Sequence, residues 1–215
     1  MLQSIACISC NKPVKEAILD NLYPNLFVML LVFIVLGLLV SLLHYLAYKK
    51  DRSGSGESGK LSIVPLISTS VILGIGIGGF IDGIALHQIL QWHEMLSNKL
   101  PPDNLVAKSV NMFWDGIFHA FTLIVTVIGV LSLFNLLSRT DVIISKRSFI
   151  SGMFLGWGLF NIVEGVIDHH ILKLHNIREI SNNVEAWNYG FLVLSLIMSI
   201  AALSIILKDF GFKHA

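Results

Sequence analysis

Two stretches of this 215-residue chain carry acids and histidines in the same order. Asp82 is followed five residues later by His87 and then by His93; Glu164 is followed five residues later by His169 and then by His175. A third stretch holds Asp115 and His119, spaced i, i+4, and Glu164 and Asp168 share that spacing. Residues four apart lie on one face of a helix. Carboxylate plus imidazole is a ligand chemistry for copper, iron, zinc or manganese, whereas calcium and magnesium have no need of imidazole. Helical bundles hold such ions with inward-pointing carboxylates and histidines from neighbouring helices. The expected metal set is Asp82, His87, Asp115, His119, Glu164, Asp168 and His169. The bland reading is that these groups only pair with each other and lock helices together.

Five residues turn an ideal α-helix through about 140°. His87 and His169 therefore need not share a face with their acids unless the helix bends there. Three roles stay open for them: metal ligand, donor that orients a carboxylate, or a pair bridging a haem from two sides. His93 and His175 fall further out, at the depth of lipid headgroups, where solvated interfacial histidines are expected. With His170 they are candidate outer ligands or orienting groups. Met95 and Met112 could be soft copper ligands, although single methionines usually pack.

The elements that must position these residues follow from a repeat. Residues 73–93 align with 155–175 at a shift of 82: Leu73, Gly74, Gly76, Asp82, Gly83, His87, Ile89, Leu90 and His93 meet Leu155, Gly156, Gly158, Glu164, Gly165, His169, Ile171, Leu172 and His175. Such periodicity reads as an internal duplication. Two tandem hairpins in the same orientation would be related by a pseudo-two-fold axis along the membrane normal. The partner helices match less well: Trp114-Asp115 corresponds to Trp187-Asn188, and nothing answers His119.

With 54% hydrophobic and 13% charged residues, the chain is too apolar for an ordinary soluble domain. A net charge of +1 and the lack of a basic stripe exclude a nucleic-acid partner. The expected fold is all-α and integral to the lipid bilayer, with five transmembrane helices. The first covers about Asn25–Tyr48, and the others run from about Leu61 to Leu90, Phe113 to Leu137, Phe149 to His170 and Trp187 to Leu207, each long enough to cross a core of ~30 Å. Residues 1–52 form an N-terminal segment with its own span, 53–60 a Gly/Ser linker, and 61–215 a four-helix membrane bundle. No cleavable leader is expected. Lysines and arginines distribute nine against six between the two sides, which favours an outside N-terminus and a cytoplasmic C-terminus in the plasma membrane. All the acids and histidines of the site then converge near the outer face, where Trp92, Trp114 and Trp187 are expected to form an interfacial belt. Ionisable groups at that depth are costly and usually functional.

Cys7 and Cys10 form a C-x-x-C, open to a disulfide, a metal clip or no function. Asn11 stands where a c-type haem motif would have histidine.

The stretches GFIDGIALHQILQWHEML (79–96), WDGIFHA (114–120) and FNIVEGVIDHHILKLHNIR (160–178) resemble a bacterial family of predicted integral membrane proteins of unknown function, over roughly 64–207. Where that family's pattern leads one to expect further histidines, this chain has Glu94 and Asn176, so neither position enters the ligand set. The resemblance implies a setting beside cytochrome oxidase assembly and copper delivery, hence a role in respiratory-enzyme assembly or metal handling. Cytochrome oxidase or another respiratory complex is the implied partner. The alternatives are a membrane oxidoreductase with a haem or dinuclear metal centre, and a structural subunit of a respiratory complex.

Overall fold

The computed structural model describes residues 11–53 and 61–212; the regular elements among them are all helices, with one isolated bridge between Ser62 and Val142. Cys7, Cys10 and nearly all of the Gly/Ser linker lie outside the described residues. The helices are α1 (Lys12–Asp20), α2 (Leu22–Ser53), α3 (Val64–Ile81), α4 (Leu105–Leu137), α5 (Lys146–Glu164) and α6 (Val184–Phe212). Helices α3 and α5 do not stop where their α-geometry ends. Each continues as a π-helix, Asp82–Ile89 and Gly165–Ile171 respectively.

Local chemistry sets the helix starts. Asn11, Asn104 and Ser145 cap α1, α4 and α5 by accepting the backbone N–H of Val14, Ala107 and Ser148. Among the described residues, five helices are long and apolar enough to cross a membrane: Leu22–Lys49, Val64–Ile89, Leu105–Leu137, Lys146–Ile171 and Val184–Asp209. These are the five spans expected from sequence, and the chain is an all-α membrane protein.

The spans are not equivalent. Helices α3 and α5 form the buried centre; α4 packs on α3, and α6 packs on α5. The central pair meets through glycine. A Cβ on Gly74 would lie 2.0 Å from the Met153 carbonyl oxygen, and one on Gly156 would lie 2.1 Å from that of Val71. Only hydrogen at these positions lets the two backbones touch, as small residues do in membrane bundles. The outer helices expose Leu123, Ile124, Leu131 and Phe134 of α4, and Val193, Leu194, Ile197 and Ile200 of α6. Side chains of that kind match hydrocarbon and would form an aggregation-prone patch in water. Helix α2 packs against α3 and α5, and His44 Nδ1 meets Ser68 Oγ of α3 at 2.7 Å. Near the chain's other polar end, Asp209 accepts from Ser145 and Ser148, and Arg139 pairs bidentately with Asp141.

Candidate metal centre

The change from α to π geometry brings each acid to its histidine. A π-turn closes i to i+5, so residues five apart stand one above the other. Accordingly Nε2 of His87 lies 3.2 Å from Oδ2 of Asp82, and Nε2 of His169 lies 2.9 Å from Oε1 of Glu164. The 140° separation expected of an α-helix is corrected here: the spacing is in register with the helix that actually forms.

After each π-segment the backbone reverses. Gln91 and Lys173 adopt left-handed conformations, with φ of 48° and 51°. Around them, Leu90 N–H bonds to Ala85 O and Trp92 N–H to Leu86 O; Leu172 N–H bonds to Ile167 O and Leu174 N–H to Asp168 O. The reversal turns His93 and His175 inward, towards the centre. They exchange bonds across it: Nδ1 of His93 lies 2.9 Å from the Ile177 carbonyl oxygen, and Nδ1 of His175 lies 3.0 Å from that of Met95. Their rings stack at 4.6 Å with planes 7° apart. They are buried, so the expectation of solvated headgroup-level histidines is corrected. Helices α4 and α6 brace the two reversals, since Asp115 Oδ1 accepts Met95 N–H and Asn188 Oδ1 accepts Ile177 N–H.

Eight ionisable side chains meet in this interior: Asp82, His87, His93, Asp115, Glu164, Asp168, His169 and His175, each 5% exposed or less. Among the described residues, two groups have ligand atoms within 4.8 Å of one another, His87/His93/His175 and Glu164/His169/His175, and His175 belongs to both. Among the described residues, no lysine or arginine pairs with Asp82, Asp115, Glu164 or Asp168. Lys108 pairs instead with Glu94, outside the cluster.

A carbonyl oxygen only accepts hydrogen bonds, so Nδ1 of both His93 and His175 carries the proton. Their Nε2 lone pairs are thereby left facing the cluster. Burial holds both imidazoles below their usual range, and the Glu164 contact opposes that effect at His175. His175 Nε2 lies 3.1 Å from Oε1 of Glu164. A lone pair facing a carboxylate oxygen requires a proton or a cation between them. Oδ1 of Asp82, Oε2 of Glu164, Oδ1 of Asp168, Nε2 of His93 and Nδ1 of His169 are buried without a partner of any kind. Buried polar atoms in folded proteins are nearly always satisfied. Several unsatisfied donors of electron pairs in one chamber fit a cation ligand.

Not every expected residue joins this chamber. His119 Nδ1 is 2.6 Å from the carbonyl of Asp115, its ring lies beside Phe80 and Phe118, and it belongs to neither metal-compatible group. Glycine at position 83 makes room for it, as a Cβ there would fall 2.7 Å from His119 Nε2. His170 turns away to Tyr189, with ring centroids 5.0 Å apart. Met112 is exposed, and Met95 packs in the core while its backbone serves Asp115 and His175. Trp114 is fully buried rather than part of an interfacial belt. The π-segments themselves were the feature sequence reasoning missed. The recurrence of the five-residue acid–histidine spacing in both halves was their signal.

No curated protein and no solved structure matches the chain. Residues 69–209, which contain the whole chamber, match the family model described as Predicted membrane protein (DUF2243), and the chain belongs to that family.

Proposed function

We propose that the buried chamber holds a transition-metal ion and that the protein serves respiratory-enzyme assembly or metal handling in the plasma membrane. In this reading the N-terminus is outside, the C-terminus is cytoplasmic, and a respiratory complex such as cytochrome oxidase is the partner. The supporting observation is the pair of Nε2 lone pairs on His93 and His175 turned into the chamber, the second 3.1 Å from Oε1 of Glu164, where no described lysine or arginine pairs with the acids. Neutral imidazole with its other nitrogen bonded to a carbonyl is the prepared form of a metal-binding histidine. Glu164, His169 and His175 would supply ligands, with His93, His87, Asp82 and Asp168 around them. Asp115 would orient His87, whose Nδ1 lies 2.8 Å from its Oδ1. The carboxylate–imidazole set suits copper, iron, zinc or manganese. We read the reciprocal exchange of bonds between His93 and His175 as the product of an ancestral duplication.

A second reading, an oxidoreductase with a dinuclear centre, is favoured by the sharing of His175 between two three-residue groups. Haem ligation through His87 has less support, because both of its ring nitrogens face carboxylates. Titration of detergent-purified, metal-stripped protein with copper, iron, zinc and manganese tests the proposal. Saturation at one equivalent supports a mononuclear site and two equivalents the dinuclear one. No retention of any of the four through desalting would refute both.

A further inference from the structure

Helices α3 and α6 both pack on α5, and the first π-segment and the start of α6 leave a groove of about 590 Å³ between them. Trp157 of α5 lines it together with Leu86, Trp187, Phe191 and Leu194. Asp82 and Asn161 reach the lining, but the Asp82 carboxylate oxygens and Asn161 Oδ1 are buried behind it and offer the groove no charge. Ile81, Trp187 and Leu194, from two different spans, are more than a third exposed, so the groove opens onto the apolar flank of the molecule. Trp92 follows the end of one span by three residues, and Trp187 lies three residues inside the start of another. Their rings meet edge to face at 5.3 Å, and the Arg178 guanidinium lies 5.2 Å from the first and 5.0 Å from the second. Among the described residues, no carboxylate forms an ion pair with Arg178. The neighbouring Glu179 turns instead to Ser97 Oγ and the backbone N–H of Asn176.

We propose that this groove seats an acyl chain of a net-anionic phospholipid, whose phosphate is held by Arg178. Tryptophans at span ends lie at the depth of lipid headgroups. From Trp187 to Leu194 helix α6 advances about 10 Å, so the groove runs from headgroup depth into hydrocarbon. An acyl chain entering from the flank covers its apolar lining, but hydrocarbon against hydrocarbon does not discriminate among lipids. Arg178 supplies the discrimination. A guanidinium stacked on indole keeps its N–H fork for the oxygens of a phosphate. A zwitterionic headgroup brings an ammonium as well, which the guanidinium repels. One basic group at an anionic lipid surface is worth about fivefold in affinity. Neither the groove's shape nor Arg178 depends on an ion in the chamber.

The test places the full-length protein in vesicles of a dibromo-acyl phosphatidylcholine, whose bromines quench tryptophan on contact, and lets unbrominated lipids compete. Phosphatidylglycerol should relieve quenching with about fivefold higher relative affinity than phosphatidylcholine of the same chains. Arg178→Gln should bring that ratio to about one, and Arg178→Lys should keep most of it. A wild type with no preference, or a preference that survives in Arg178→Gln, would overturn the proposal. Gly190 also lines the groove, and a Cβ there meets no atom within 4 Å, so Gly190→Phe can fill the space without moving backbone. It should lower the maximal quenching by the brominated lipid, because the chain no longer lies against Trp157; unchanged quenching would remove the acyl-chain seat and the proposal with it. Glycerol 3-phosphate added at matched ionic strength should leave the preference intact. If it abolishes the preference, Arg178 serves a soluble phosphate and the lipid assignment fails. The same outcomes are expected of metal-stripped protein, so this inference and the metal reading fail separately.

Discussion

At the first hairpin, the backbone N–H of Met95 is donated to the carboxylate of Asp115; at the second, that of Ile177 is donated to the amide oxygen of Asn188, both at 2.9 Å. The backbone receives the same support in both places, but the chemistry left over differs. Asp115 has a second use, because the same Oδ1 lies 2.8 Å from Nδ1 of His87. Asn188 spends its Nδ2–H on Asn176 and adds no charge. His87 is therefore held between two carboxylates, whereas His169 meets Glu164 alone and keeps Nδ1 without a partner. One half is closed around its histidine and the other is open. The open half, with Glu164, His169 and His175, holds the electron pairs that the proposed cation would engage.

Breaking the element common to both halves should have the largest effect. His175→Ala removes a ligand atom from each three-residue group, and metal affinity should fall by more than about 100-fold, beyond the ~10–100-fold typical of orienting partners. Equilibrium competition with a chelator measures it. The comparison is sharpened by swapping the braces. Asp115→Asn keeps an acceptor for Met95 N–H but removes the carboxylate from His87, so affinity should fall about tenfold while thermal stability changes little. Asn188→Asp, which makes the second half resemble the first, adds a negative charge near the open half and should raise affinity for a divalent cation.

A smaller effect is expected from acid. Burial lowers the folded-state pKa of His93 and His175 beneath the ordinary value of 6.5. As pH falls below about 6.5, the unfolded chain takes up protons at these positions that the folded chain does not. Their contribution to stability is complete above that value and is lost progressively as pH drops towards their folded-state pKa values. The metal-free double variant His93→Gln, His175→Gln should show a shallower loss of melting temperature between pH 6.5 and 5 than the metal-free wild type.

Much of this arrangement is legible in the residues themselves. The five spans follow from apolar length alone, and Gly74 and Gly156 announce the close approach of α3 and α5. Asp82, His87, Asp115, Glu164, Asp168 and His169 could be assembled from spacing and depth, and they do lie together. His93 and His175 could not be placed, because their position depends on left-handed turns at Gln91 and Lys173, residue types that carry no turn signal of their own. His119 illustrates the reverse case. Its i, i+4 relation to Asp115 is real, but the bond it makes is to the Asp115 carbonyl, which uses the spacing within the helix rather than at the site. Trp114 sits near the expected start of a span by count and in the core by packing, a distinction that needs the neighbouring helix.

The most direct measurement is elemental mass spectrometry of the protein purified from membranes in mild detergent, alongside His175→Ala prepared identically. The account predicts at least one copper, iron, zinc or manganese ion per chain in the wild type and its loss in the variant. A well-folded wild type that carries none of these ions and takes up none on exposure, or a variant that retains the full complement, would contradict it.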